Sequence, residues 1–206
     1  MPLTRERILA VALRLVDEGG LAALSMRRLG AELGVDPMAV YRHLANKRAI
    51  VLALTEAVFA TLPAPDPRLR WERRVRAWAD AYRQLARRHP RLVLDIVGDP
   101  HAVAVAAVHA NEPLYSAFLD AGLTPDDTAR CTGILVDFVN GFVLAEAAAD
   151  GRGSVAEPIR AELARRPAEQ FPAQRRVLAE ATADGSGFAL GLDVLIAGIA
   201  ARTRRR

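Results

Sequence analysis

Lysine is almost missing from this chain of 206 residues: Lys47 is the only one, and every other basic side chain apart from histidine is arginine. Cysteine occurs once, at Cys131. One cysteine cannot form an internal disulfide, which fits a reducing compartment such as the cytoplasm. In an apolar helix its default role is that of a small buried side chain. No apolar run of about 18 residues is free of charge, so no membrane span is expected. The N-terminal MPLTRERILA carries charges inside its apolar periodicity and does not read as a signal peptide. The chain has no G-x-S-x-G, no H-E-x-x-H, no glycine-rich phosphate loop and no Cys–His pair in a suggestive context, so nothing points to an enzyme. His101 and His109 are eight apart on one predicted helix and point in different directions. With no Cys/His/Asp set nearby, neither a metal site nor a cofactor is expected.

What is present is the balance of a globular protein, 51% hydrophobic and 25% charged. The formal charge of +4 permits nucleic-acid binding without requiring it. The stretch LSMRRLGAELGVDPMAVYRHLANK, from Leu24 to Lys47, organises the rest. Ser25 is placed to cap a first helix, and Leu29 and Leu33, four apart, share its buried face. Gly34 stands where a helix ends in a left-handed residue. Asp36 caps the next helix, and Pro37 suits its first position because its missing N–H would be unsatisfied anyway. Val40 and Leu44 continue the buried face. Met38, Ala39, Tyr41, Arg42 and His43 are left outside. This is a helix-turn-helix with a recognition helix of about two turns.

The run VDPMAVYRHLANKRAI, with Gly34, Val35, Tyr41, His43, Leu44, Asn46 and Lys47 in order, resembles the DNA-binding signature of the tetracycline-repressor (TetR) family. The upstream ILAVALRLVDEGGLAALSMRRLGAELG resembles the first two helices of the same domain. The resemblance implies an N-terminal three-helix DNA-binding domain, assigned to residues 1–62. Its expected contacts with double-stranded operator DNA are Ser25, Arg27, Arg28, Asp36, Pro37, Met38, Ala39, Tyr41, Arg42, His43 and Lys47. Arginines and Lys47 suit phosphates; Arg27 or Arg42 could read guanine, and Met38 and Ala39 could touch thymine methyls.

Flanking this unit, Thr4 caps a helix to about Glu18 with Ile8, Ala12, Leu15 and Val16 inward, and Gly19-Gly20 ends it. Asn46 caps a long helix from Lys47 to about Leu62, with Ile50, Leu54 and Val58 buried. Lys47 and Arg48 in its first turn oppose the helix dipole, which suggests an external anion such as a DNA phosphate. The PAPDP segment, Pro63–Pro67, breaks the pattern.

Beyond it every element again reads as helix: about Leu69–Arg88, with a stripe of Trp71, Val75, Trp78, Tyr82 and Leu85; Pro90–Val97; His101–Ala121, with a possible break at Pro113; about 125–149, capped by Thr124; a polar stretch Ser154–Arg166; Ala173–Ala183; and FALGLDVLIAGIAARTRRR. Asp150–Gly153 and Asp184–Gly187 read as loops. Gly133 and Gly141 suggest close helix–helix approach. The helices near 125–149 and 188–202 are apolar over most of their circumference, more than one small domain can hide. FALGLDVLIAGI and FVNGFVLAE resemble the effector domain of tetracycline-repressor-like proteins, which implies a homodimer through these helices.

The expected fold is therefore all-α, a helix-turn-helix domain followed by a helical ligand-binding and dimerisation domain over 63–206. Trp78, Tyr82, His101, Phe118, Asp137, Asn140 and Phe142 are the candidate lining of a small-molecule pocket. In tetracycline-binding members a carboxylate helps hold a magnesium-bound drug; the corresponding place here is Ala145 beside Glu146, so that metal site is not carried over. The expected function is a ligand-responsive repressor released from a palindromic operator by a small-molecule effector. The alternatives are a regulator of the same family controlled by a partner protein, and a helical enzyme with a vestigial DNA-binding head.

Overall fold

The computed structural model describes residues 2–149, 156–180 and 187–203. Among these it contains eleven α-helices, one short 3-10 turn and no strand. The loops expected at Asp150–Gly153 and Asp184–Ser186, and the end of the helix expected to reach Ala183, lie outside the described residues.

Helix α1 (Arg5–Gly19) starts where the Thr4 hydroxyl accepts from the Arg7 N–H, and it buries Ile8, Ala12, Leu15 and Val16. Helix α2 (Met26–Leu33) is capped by Ser25, which accepts from the Arg28 N–H, and it ends at Gly34 with φ +69° and ψ +34°. A side chain in that left-handed conformation costs about 1 kcal/mol or more, so glycine is the natural residue. Asp36 caps α3 (Pro37–Tyr41) through the Met38 N–H, and Val40 alone of this helix is buried. The recognition helix is shorter than the two turns expected. Both the His43 and the Leu44 N–H groups converge on the Val40 carbonyl at 3.0 and 3.1 Å. The chain tightens there as buried Leu44 turns inward. Gly30 lies so close to the next segment that a Cβ would stand 2.9 Å from the Val35 carbonyl and 3.1 Å from Pro37. A side chain here would push α3 off α2.

Helix α4 (Lys47–Phe59) is capped by Asn46 and buries Ile50, Leu54 and Val58 as expected. It stops before Leu62 because the chain tightens over Thr61, whose hydroxyl donates to the Val58 carbonyl at 2.7 Å. The segment 60–70 carries no helix.

Helix α5 (Trp71–Arg88) buries Val75, Trp78, Tyr82 and Leu85. It is followed by α6 (Pro90–Ile96) and by α7 (Pro100–Asp120). Pro113 does not interrupt α7. The carbonyl that Pro113 leaves without a partner belongs to exposed His109, where water can satisfy it, while buried Ala106, Ala110, Leu114 and Ala117 hold both halves in line. Helix α8 (Pro125–Ala149) begins where Thr124 accepts from the Asp127 N–H. By length and composition α8 could cross a membrane; here it packs against α5, α6, α7 and α11. Helices α9 (Ala156–Ala164) and α10 (Pro172–Glu180) pack on each other, and α11 (Gly187–Thr203) lies on α8 and α5.

Gly133 and Gly141 are not sites of close approach within the protomer: a Cβ on either would meet nothing within 4 Å. Close approach occurs instead at Gly191, where a Cβ would stand 2.5 Å from the Phe138 ring. Phe138, Phe142 and Phe188 form an aromatic cluster with centroids 5.4–5.5 Å apart. The Arg83 guanidinium sits 4.4 Å over Phe188 and pairs with Glu146, binding α5, α8 and α11 together.

Candidate functional site

The surface presented by α3 and the turn after it is formed by Met38 (65% exposed), Tyr41, Arg42 and His43, with Ala39 half-buried. They face outward because Val40 and Leu44 occupy the only inward positions. Arg27 and Arg28 are exposed on the first turn of α2, beside the Ser25 cap. Asp36 and half-buried Pro37 are used to start α3, and the Asp36 carboxylate is already engaged by the Met38 N–H at 2.7 Å.

Two basic residues have partners that the sequence does not reveal. The Lys47 ammonium donates to the Leu21 carbonyl at 2.5 Å. Arg48 is exposed, and its contacts run to the residues at the start of α7. Its guanidinium donates to His101 Nδ1 at 2.7 Å and lies 3.7 Å from the Asp99 carboxylate. The anion that offsets an arginine at the start of α4 is thus supplied by the chain itself. Asp99, the N-cap of α7, is held below the usual carboxylate range by the His101 backbone N–H and then by the Arg48 charge.

These contacts belong to a larger set. Asp95 of α6 accepts from the Leu21 N–H at 2.6 Å. Gly20, with φ +69°, makes that approach possible, since a Cβ there would stand 2.9 Å from the Asp95 carboxylate. At the other end of α6, His89 Nδ1 lies 3.0 Å from the Asp17 carboxylate of α1. Helix α6 and its two flanking turns are therefore fastened to α1, to the turn before α2 and to the start of α4.

The opposite side of α6 walls a cavity. Val93, Ile96 and Val97 line it together with Phe59 of α4, Tyr82 of α5, Val103, Ala106, Ala107, Ala110 and Asn111 of α7, and Val136 and Asn140 of α8. It encloses about 70 Å³. The space exists because α7 presents alanine at 106, 107 and 110, where larger side chains would fill it. Tyr82 donates to Asn140 Oδ1 at 2.8 Å, and burial pushes its phenol up to about 12, so it stays protonated.

Of the expected pocket residues, Tyr82 and Asn140 meet at this cavity. Trp78 is core, its indole N–H donating to the Ala110 carbonyl at 2.6 Å. Phe118 is fully buried against Trp71 with centroids 6.2 Å apart. Phe142 joins the aromatic cluster, His101 is the exposed partner of Arg48, and Asp137 lies on the outer face of α8. Sequence reasoning missed Asp95 and Asn111. A lone acid in apolar LVLDIVG and a lone amide in an alanine-rich helix were the signals that could have found them. Among the described residues no group of three or more His, Cys, Asp or Glu side chains could hold a metal ion.

Helices α8 and α11 each carry an exposed apolar stripe. On α8 it contains Gly133, Ile134, Gly141, Leu144 and Ala145, with Asp137 at mid-length; on α11 it contains Leu190, Val194, Ala197 and Ala201. Both stripes repeat at the three-and-four spacing of a single helix face.

Comparison with known proteins covers both halves of the chain. The family model "Bacterial regulatory proteins, tetR family" matches residues 8–54, and "Tetracyclin repressor-like, C-terminal domain" matches residues 63–203. An HTH-type transcriptional regulator of Saccharopolyspora erythraea is 28% identical, the alignment covering 97% of this chain and 85% of that protein. The class A tetracycline repressor protein from transposon 1721 of Escherichia coli is 30% identical over 95% of this chain and 89% of its own. The structure of the Streptomyces coelicolor TetR family protein ActR in complex with actinorhodin superimposes with a TM-score of 0.81 at 27% identity, covering 98% of this chain and 99% of that one.

Proposed function

Because the chain belongs to the tetracycline-repressor family of bacterial transcriptional regulators, we propose that it is a homodimeric repressor released from a two-fold symmetric operator by a small-molecule effector. The observation that carries this reading is the double engagement of α6. One side of this helix walls the cavity through Val93 and Ile96; Asp95 on the same helix holds the peptide between α1 and α2. A molecule entering the cavity must displace α6 or α7, and either motion pulls on Leu21, Asp17 or Arg48 in the DNA-binding head. A ligand shifts the head only through such a difference in contacts between two states. The similar protein ActR, solved in complex with actinorhodin, supports a small-molecule effector.

The DNA surface in this reading is the face of Met38, Ala39, Tyr41, Arg42 and His43, with Arg27, Arg28 and Lys47 on flanking phosphates. The stripes on α8 and α11 pair with those of a second copy, giving two recognition helices related by a two-fold axis. In this arrangement α8 lies in a subunit interface and not in a membrane, and the protein works in the cytoplasm beside its operator. Footprinting of the DNA upstream of its own gene should reveal a protected site with two-fold symmetry. Protection of one asymmetric half-site would contradict the dimer.

The coupling through α6 has its own test. Asp95→Ala removes the bond to Leu21 without touching the cavity wall. It should leave ligand affinity nearly intact but reduce the ligand's effect on operator affinity by roughly 2- to 30-fold, the range expected for a residue along a coupling route. Operator binding with and without ligand, measured by fluorescence anisotropy for both proteins, gives the comparison. An unchanged ratio removes Asp95 from the mechanism.

A further inference from the structure

The wall of the cavity contains no Asp, Glu, Lys, Arg or His. Its polar side chains are the Tyr82 phenol and the amides of Asn111 and Asn140; all the rest is aliphatic or the Phe59 ring. The Tyr82 hydroxyl donates its proton to Asn140 Oδ1. That leaves the Asn140 amide hydrogens and the lone pairs of the phenol oxygen for a guest. Among the described residues the Asn111 amide has no hydrogen-bond partner. The cavity therefore offers two or three neutral hydrogen bonds at one corner and apolar surface elsewhere.

An ion is poorly served by such a wall. Stripping a carboxylate or ammonium of water costs far more than a few amide or phenol hydrogen bonds return, unless an opposite charge or a metal is present. A hydroxyl or carbonyl loses little, because each hydrogen bond it gives up to water is replaced. Size narrows the class further. The cavity of about 70 Å³ is well below the ~300–1,000 Å³ of most ligand sites. It is also below the ~150 Å³ of a protein cavity known to hold benzene. Val97 and Val103, the two most exposed members of the wall, mark its mouth at the junction of α6 and α7. A ring-sized guest enters only as that junction opens, and Asp99, the residue that holds Arg48, lies within it.

Taking the cavity to be the effector site of the proposed repressor, we propose that its effector is an uncharged, mostly apolar molecule no larger than about one ring. It carries a hydroxyl or carbonyl that bonds Asn111 and Asn140, and it is not a carboxylate, an amine or a metal chelate. Four matched probes test this on the full chain by calorimetry without DNA: benzyl alcohol, toluene, benzoate and benzylamine. Benzyl alcohol should bind best, and the two ions should bind at least about tenfold more weakly. Asn111→Leu and Asn140→Leu should each reduce benzyl alcohol binding towards that of toluene while toluene binding is kept, which also shows that the variant is folded. Benzoate or benzylamine binding as tightly as benzyl alcohol overturns the proposal, as does failure of the neutral probes to bind at their solubility limit. An unchanged preference for the alcohol over toluene in both variants overturns it too. Operator affinity measured in parallel separates this from the repressor reading. Release of operator by an anionic compound refutes only the ligand class; benzyl alcohol binding with no change in operator affinity refutes only the effector role.

Discussion

Replacing Leu190 and Val194 together by glutamate should turn a dimer into a folded monomer and lower operator affinity by about a hundredfold or more. Both side chains are largely exposed in the protomer, at 68% and 63%. Surface changes of this kind usually alter protomer stability by no more than about 0.5 kcal/mol each. In the proposed dimer the same positions lie between subunits, where a two-fold axis brings each new carboxylate in twice, unpaired and short of water. The loss on DNA follows from avidity: two linked heads bind a palindrome about 10²–10⁴-fold better than either head alone. Sedimentation would report the assembly state, circular dichroism the fold, and anisotropy the affinity. A variant that still sediments as a dimer would remove this face from the interface.

The second large effect is expected at the recognition helix. Arg42 is exposed beside Tyr41 on the outward face of the segment that follows α3. Arg42→Ala should cost roughly 1–3 kcal/mol of operator binding if its guanidinium reads a base, and it should relax preference at one operator position. Lys47→Ala should instead weaken binding to all sequences and lower the salt slope by about 1. Lys47 also donates to the Leu21 carbonyl, so this variant additionally loosens the turn that Asp95 holds. Comparing the two variants on operator and on unrelated DNA, at several salt concentrations, separates base reading from phosphate contact. Unchanged affinity in both would exclude these residues from the DNA surface.

The helix starts were legible in the sequence because capping is local. Thr4, Ser25, Asp36 and Asn46 each accept from an N–H two or three residues further on, so residue type and spacing suffice to find them. The buried stripe of α1 was legible for the same reason, being written in a single period. The contacts that give α6 its double role were not. Asp95 and Leu21 are 74 positions apart and Arg48 and His101 are 53 apart, and no local pattern pairs them. Arg48 read as a DNA contact because its helix supplies no anion; the anion comes from α7. The cavity escaped the sequence for a different reason. Large side chains such as Trp78 and Phe118 suggested a binding box, but they fill space, whereas the cavity lies where α7 carries alanine. Gly133 and Gly141 pointed to close packing, yet the tight glycine in the protomer is Gly191 against Phe138.

Coupling between the cavity and the DNA-binding face is tested most directly by titrating a molecule that binds the cavity, whatever its effect on DNA, into the free protein and into the protein–operator complex. Linkage requires the two effects to be equal. If α6 transmits the change, operator DNA weakens ligand binding by the same factor by which the ligand weakens operator binding. Equal ligand affinity in the two titrations would contradict the mechanism, even for a protein that binds its operator as a dimer.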